Sequence, residues 1–221
     1  MRQRVVAAIM ILSVLNAFST ALGQSQPNAV VALHDQPSTN NSGCSSSPNS
    51  TSLPCTQYDT DNRPTGSDRF VYLVVAKADP TPGIAGAVFG ISYTDNIDVY
   101  AWSLCATLEF RSSGWPASGS GNLITWNAAG NCQQTVIGSD GVHAIAGFFS
   151  VFAHGDGTIE VTPRPIDGSF QVADCSAVET NVTVAGGKVG YGSEVGFNPC
   201  LNNPIAVEKT TWSAVKKYFL E

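Results

Sequence analysis

Between Arg69 and Cys200 the chain breaks into short apolar runs, and none of them has a helical period. Phe70–Ala76 is β-branched and aromatic, and it stops at Asp79-Pro80-Thr81-Pro82-Gly83. Ala85–Tyr93, Asp98–Phe110, Leu123–Trp126, Val142–Ala153, Thr158–Thr162, Phe170–Ala173 and Asn181–Ala185 come after it. Runs of this length, bounded by Gly, Pro, Asn and Asp, read as strands. His154-Gly155-Asp156-Gly157 joins two of them, and Asp-Gly accepts the positive φ of a tight hairpin turn. Ser139-Asp140-Gly141 marks another turn. Within Asp98–Phe110 one parity holds Tyr100, Trp102, Leu104, Ala106, Leu108 and Phe110. A period of two sends that set to one sheet face, the expected core face. The expected fold is all-β: one antiparallel β-sandwich over Arg69–Cys200, of jelly-roll or immunoglobulin/cohesin-like type, with a barrel as the alternative.

The two ends differ in kind. Met1–Gly23 carries Arg2 and Arg4, an apolar run from Val5 to Leu15 and a small-x-small close at Ala21-Leu22-Gly23. That is the layout of a secretory signal peptide, so the mature chain is expected to start at Gln24 and to be secreted or held at the cell surface. Gln24–Asp68 reads as an arm with one apolar run, Ala29–Leu33, suited to an edge strand. Gln36–Thr56 is mostly Ser, Asn, Thr and Pro and carries too little apolar surface to order itself. Leu201–Glu221 reads as a tail. After Asn203-Pro204, Thr210-Thr211 can cap a short helix in which Trp212, Val215 and Phe219 share a face and Lys216 and Lys217 favour the C-terminal dipole. Such a helix needs a partner surface, either its own domain or a docking site. It is too short to span a membrane, so no transmembrane span is expected once the leader is removed.

Losing two leader arginines and no acid takes the formal charge from −6 to −8. An acidic chain cannot displace phosphate counterions, which argues against nucleic acid as a partner, and anionic membranes are disfavoured for the same reason. Six cysteines in an oxidising compartment read as three disulfides. Order along the chain suggests Cys44–Cys55, Cys105–Cys132 and Cys175–Cys200. Zinc is not expected, since no Cys-x-x-Cys is present and no histidine lies close to two cysteines.

Few residues suggest chemistry. His34-Asp35 and His154 with Asp156 are sequence neighbours that more simply end a strand and form a turn. No Gly-x-Ser-x-Gly elbow surrounds any serine, and Ser118-Gly119-Ser120-Gly121 lacks the lysine of a phosphate loop. Asp59, Asp61, Asn62 and Asp68 are candidate calcium ligands, being hard oxygen donors in one loop, but Arg63 interrupts them and no glutamate closes the loop. Calcium is the one cofactor these residues suggest. Glu109, Glu160 and Asp98 are the strand carboxylates from which a glycosidase pair would have to come. Trp115, beside Pro116 in a loop, is the expected exposed aromatic for stacking on a ligand, with Trp102 in the core. Asn40, Asn49 and Asn181 fit the glycosylation sequon.

Gly83–Tyr93 resembles a cohesin strand of the form Gly-x-x-Gly-x-x-Phe-x-(Leu/Ile)-x-Tyr, which implies a jelly-roll-like sandwich. Leu33-His34 followed by Cys44 and Cys55, Trp115–Gly121, and Glu208–Tyr218 with its Thr-Thr-Trp-x-x-(Ile/Val)-Lys core resemble a family of exported bacterial proteins. That likeness implies architecture and export but no mechanism. The expected function is a non-enzymatic interaction module with a protein or glycan partner at the cell exterior. The alternatives are a secreted polysaccharide hydrolase and a self-assembling structural subunit.

Overall fold

The computed structural model describes residues 24–38, 43–44 and 53–201. The leader Met1–Gly23, Asn40, Asn49, and the tail with Trp212, Val215, Lys216 and Phe219 lie outside the described residues. In chain order the strands are β1 (Val30–Pro37), β2 (Asp68–Ala78), β3 (Gly86–Tyr93), β4 (Ile97–Leu104), β5 (Leu108–Arg111), β6 (Ser120–Thr125), β7 (Val142–Ala153), β8 (Gly157–Thr162), β9 (Gln171–Ala173), β10 (Glu179–Asn181) and β11 (Lys188–Tyr191).

They form an antiparallel β-sandwich. The first sheet runs β1-β2-β7-β4. In the second, β5-β6-β3 is extended along one half of β3 by β9 and β10, and along the other half by β8 and β11. Leu33, Leu73, Phe149 and Val151 of the first sheet face Phe89, Ile91, Ile124, Ile159 and Tyr191 of the second, all buried. The strand expected from Ala29–Leu33 is β1, at the edge of the first sheet and paired with β2 from Val30↔Ala76 to Pro37↔Arg69. The sandwich therefore begins well before Arg69.

Asp98–Phe110 is two strands rather than one. The chain leaves the first sheet after Leu104 and enters the second at Leu108. The expected single core parity also fails. A register shift between Val99 and Ala101 leaves Tyr100 out of the pairing with β7. Such a bulge inverts the facing of the residues beyond it. Trp102 and Leu104 pack on the core, whereas Tyr100, Leu108 and Phe110 are exposed.

A second apolar layer lies outside the sandwich. Val30, Ala32, Tyr72, Val74, Ala76 and Phe148 point away from the main core and are covered by Leu53, Cys55, Tyr58 and Cys200. The described part of the arm after β1, Cys44 and Leu53–Tyr58, is thus a strap over the first sheet, and disulfides hold it. The bonds are Cys44–Cys105, Cys55–Cys200 and Cys132–Cys175, and none of the expected sequence-neighbour pairs forms. The reason is topological. Cys44 and Cys55 lie on the strap, so each bonds to what lies beneath or beside it: the end of β4 and the segment after β11. Cys132 comes after β6 and Cys175 after β9, strands that flank β3 on opposite sides.

These bonds close separations of 61, 145 and 43 residues. In the chain-entropy picture each removes about 4–5 kcal/mol of unfolded-state freedom, against about 3 for a ten-residue loop. Peptide mapping without reduction is expected to yield these three cross-links and no Cys44–Cys55 peptide. Replacing Cys55 and Cys200 together with serine should lower unfolding stability by several kcal/mol in urea titration.

Candidate functional site

Alternation along β1 sends Val31, Leu33 and Asp35 inward, and the inward carboxylate at Asp35 is fully buried. A buried carboxylate persists only with partners. Asp35 has three: Arg69 of β2, Arg63 at 2.9 Å, and the Tyr191 hydroxyl of β11, which donates at 2.9 Å. Burial and the Asp35 charge push the Tyr191 hydroxyl well above its ordinary range. The cluster ties both sheets and the segment after the strap to one charge. Asp35, Arg63, Arg69 and Tyr191 all bond within it, so the cluster holds the two sheets in register.

His34, one residue earlier, faces the strap. Its Nδ1 accepts from the Asp59 backbone N–H at 3.0 Å, and its ring stacks on Tyr58 at 5.0 Å. The Tyr58 hydroxyl lies 3.1 Å from His143 Nδ1. Burial lowers the His34 imidazole to about 4 and lowers His143 as well. His34 and Asp35, adjacent in sequence, thus serve opposite faces of the sheet. Among the described residues one trio of possible metal ligands converges, Cys55, Asp140 and His143, but the Cys55 sulfur is committed to its disulfide.

The other candidates separate. The Asp59 carboxylate reaches Arg63, Asp61 accepts from the Gly196 N–H, Asn62 donates to the Gly192 carbonyl, and Asp68 accepts from the Tyr100 hydroxyl. Asp156 accepts from Ser193, while His154 bonds to Asp98 at 2.7 Å. Ser118 closes a loop against the Tyr93 backbone, and Asn181 is exposed on β10. Glu109, Glu160 and Asp98 do not face one another. Glu109 points inward and accepts from Trp102 Nε1 at 2.9 Å and Asn122 at 2.7 Å, whereas Glu160 and Asp98 lie on different sheets. Trp115 is not the exposed aromatic expected. It is 9% exposed, set among Trp102, Phe89 and Phe149 at ring distances of 5.3–5.8 Å. Its loop folds inward where β4 and β5 diverge, and the indole fills the gap.

Among the described residues, one hollow is lined by Gln26, Lys77, Asp79 and Asp140, and two other surfaces present exposed aromatic or apolar side chains. One is a groove of about 490 Å³ lined by Asp68, Tyr93, Ile97, Asp98, Val99, Tyr100, Phe152 and His154. Phe152 pairs with Asp68 on one side and Asp98 on the other, so the two acids flank it on one face. The spacing of Asp68 and Asp98 depends on the register of three strands, which no motif announces. The other surface is the outer face of the second sheet, where Phe110, Leu123, Val88 and Gln171 form one row across four strands and Leu108, Thr125, Gly86 and Ala173 form the next. Phe110 is 58% exposed and Leu108 51%. The segment after β8 covers the neighbouring part of that face. A side chain at Gly90 or Gly121 would collide with Pro163, Arg164 or Pro165, so that contact requires glycine there.

No family model matches this sequence, and no curated protein sequence does. Solved structures that are similar include three cohesins. A cohesin module of a Clostridium perfringens family 33 glycoside hydrolase is 13% identical, covering 62% of this chain and 93% of that one with a TM-score of 0.42. The sixth cohesin of Acetivibrio cellulolyticus scaffoldin B, solved with a Cel5 dockerin, is 13% identical over 62% and 95%, with a TM-score of 0.44. A non-cellulosomal cohesin of Archaeoglobus fulgidus is 12% identical over 60% and 85%, with a TM-score of 0.40. The cohesin likeness read from Gly83–Tyr93 recurs among these neighbours at the level of fold alone, without bearing on activity or partner.

Asp35→Asn leaves two arginines facing a neutral amide and should cost about 3–5 kcal/mol in urea unfolding. Asp59→Asn, on an exposed partner of Arg63, should cost less than about 1 kcal/mol. A folded His34 pKa below the unfolded one means that the unfolded chain takes the proton first. Stability is then complete above about pH 6.5 and falls as pH drops toward about 4, by roughly 3 kcal/mol for His34. The expected urea midpoints decline over that window, and His34→Gln flattens the decline.

Proposed function

We propose that this chain is a non-enzymatic interaction module of the cell exterior, exported by Met1–Gly23, that docks a protein partner on the outer face of its second sheet. The three disulfides support an oxidising compartment. The observation that carries the reading is the inverted polarity of β5. On a sheet with one wet face, apolar residues point in and polar ones out. In β5 the charged Glu109 points in, to Trp102 and Asn122, while Leu108 and Phe110 point to solvent. Local rules of this kind are broken at functional sites. Val88, Leu123 and Thr125 extend the patch as half-buried neighbours, and Ile166 stands 76% exposed on the segment that borders it. Exposed apolar groups rimmed by polar residues are what a partner surface buries.

In the same reading the tail with Trp212, Val215, Lys216 and Phe219 attaches the module to the cell surface. The hydrolase alternative has less support, since its named carboxylates do not form a pair.

The test is affinity capture from the native host's extracytoplasmic fraction, using the mature chain and its Leu108→Ser/Phe110→Ser variant. Matching thermal unfolding of the two shows that the fold is kept. The mature chain is expected to retain a discrete set of proteins that the variant loses. Aromatic truncation at such a site costs about 2 kcal/mol, roughly thirtyfold in affinity. Identical capture by both would contradict the reading.

A further inference from the structure

The groove on the first sheet is independent of the β5 face and has a different chemistry. Phe152 forms its floor, half-buried and packed on the His154 ring at 4.8 Å. Tyr100, lifted out of register by the bulge in β4, stands 58% exposed at the side. Asp68 and Asp98 flank the floor as cross-strand neighbours of Phe152. One strand lies between them, so their backbones are about 10 Å apart. Each carboxylate has one oxygen fixed: Asp68 Oδ1 accepts from the Tyr100 hydroxyl at 3.1 Å, and Asp98 Oδ2 lies 2.7 Å from His154 Nε2. Among the described residues, the second oxygen of each accepts no hydrogen bond and stays available.

The supports beneath are rigid. The His154 N–H donates to the Asn96 carbonyl at 2.9 Å, the Asn96 amide donates to the Asp156 carbonyl at 3.0 Å, and the Thr158 N–H donates to the Thr94 hydroxyl. These bonds lock the turns before β4 and before β8 to each other, so the groove is preorganised.

We propose that this groove binds a neutral pyranose unit of a glycan. The C–H face of a sugar ring stacks on aromatic surface, and two oriented carboxylate oxygens accept from its hydroxyls. No lysine or arginine lines the groove, so nothing there neutralises a uronic or sialic acid. The groove binds without cleaving. A glycosidase needs one carboxyl protected in apolar surroundings as its acid, whereas Asp98 is 64% exposed and Asp68 is exposed as well.

The test is affinity electrophoresis of the mature chain in gels cast with neutral polysaccharides (a β-glucan, a mannan and a galactan) and, separately, with polygalacturonate. The expected result is retardation by at least one neutral polymer and none by polygalacturonate. Tyr100→Ala and Asp98→Asn should each weaken it at least tenfold, and Leu108→Ser/Phe110→Ser should leave it unchanged. Tyr100 is a surface side chain, so its loss spares the fold, which thermal unfolding checks. Retardation by none of the neutral polymers, or retardation that survives Tyr100→Ala, would overturn the proposal. So would salt-sensitive binding of poly-lysine at this groove without any glycan binding, since that would assign it to a basic peptide.

Discussion

One buried carboxylate organises this molecule. Asp35 sits on an edge strand, where a sheet would ordinarily be open, and it collects Arg69 from the neighbouring strand, Arg63 from the segment after the strap and Tyr191 from the opposite sheet. Hydrophobic burial does not specify how two sheets align at their margins. A charge that cannot be left unpaired does, because removing any partner exposes the full cost of burying the rest. The strap enters and leaves around this cluster. The Asp35 N–H donates to the Asp59 carbonyl, and the Arg63 N–H donates to the Gly190 carbonyl.

The two outer faces of the sandwich are treated in opposite ways. On the first sheet an apolar surface is made and then hidden, covered by Tyr58 and Leu53 and held by Cys44–Cys105 and Cys55–Cys200. Among the described residues, a groove stays open at one end of that face, lined by Asp68, Asp98, Tyr100 and His154. On the second sheet, Leu108 and Phe110 stay in solvent with no described segment over them. The proposed partner surface rests on this contrast between a covered apolar face and one that the described residues leave bare.

Much of the fold was legible because strand alternation and Gly/Asp turns are local signals. The two-sheet architecture and the edge position of Ala29–Leu33 arise from them. The hairpin expected at Asp156-Gly157 is not formed: that turn carries the chain from β7 of the first sheet to β8 of the second, and Gly157 does not take a positive φ. Features that depended on register were not legible. The bulge at Tyr100 exposes a tyrosine that alternation assigns to the core, and the crossing at Cys105–Thr107 moves Leu108 and Phe110 to another sheet. The disulfides escaped because each joins cysteines that strand pairing, and not chain order, brings together. Trp115 misled because a loop position says nothing of which way the loop folds. Asp35 read as half of a dipeptide with His34, although its partners lie 28, 34 and 156 residues away.

If the bare face of the second sheet, led by Phe110, contacts a protein partner outside the cytoplasm, a reactive group placed on it must meet that partner. Site-specific photo-crosslinking in the native host supplies that group, with a photoreactive residue placed at Phe110, at Leu123, or at Glu160 on the same sheet away from the apolar rows. A protein adduct of one defined mass is expected from positions 110 and 123 and none from 160. Adducts from no position, or equally from all three, would refute a partner surface there.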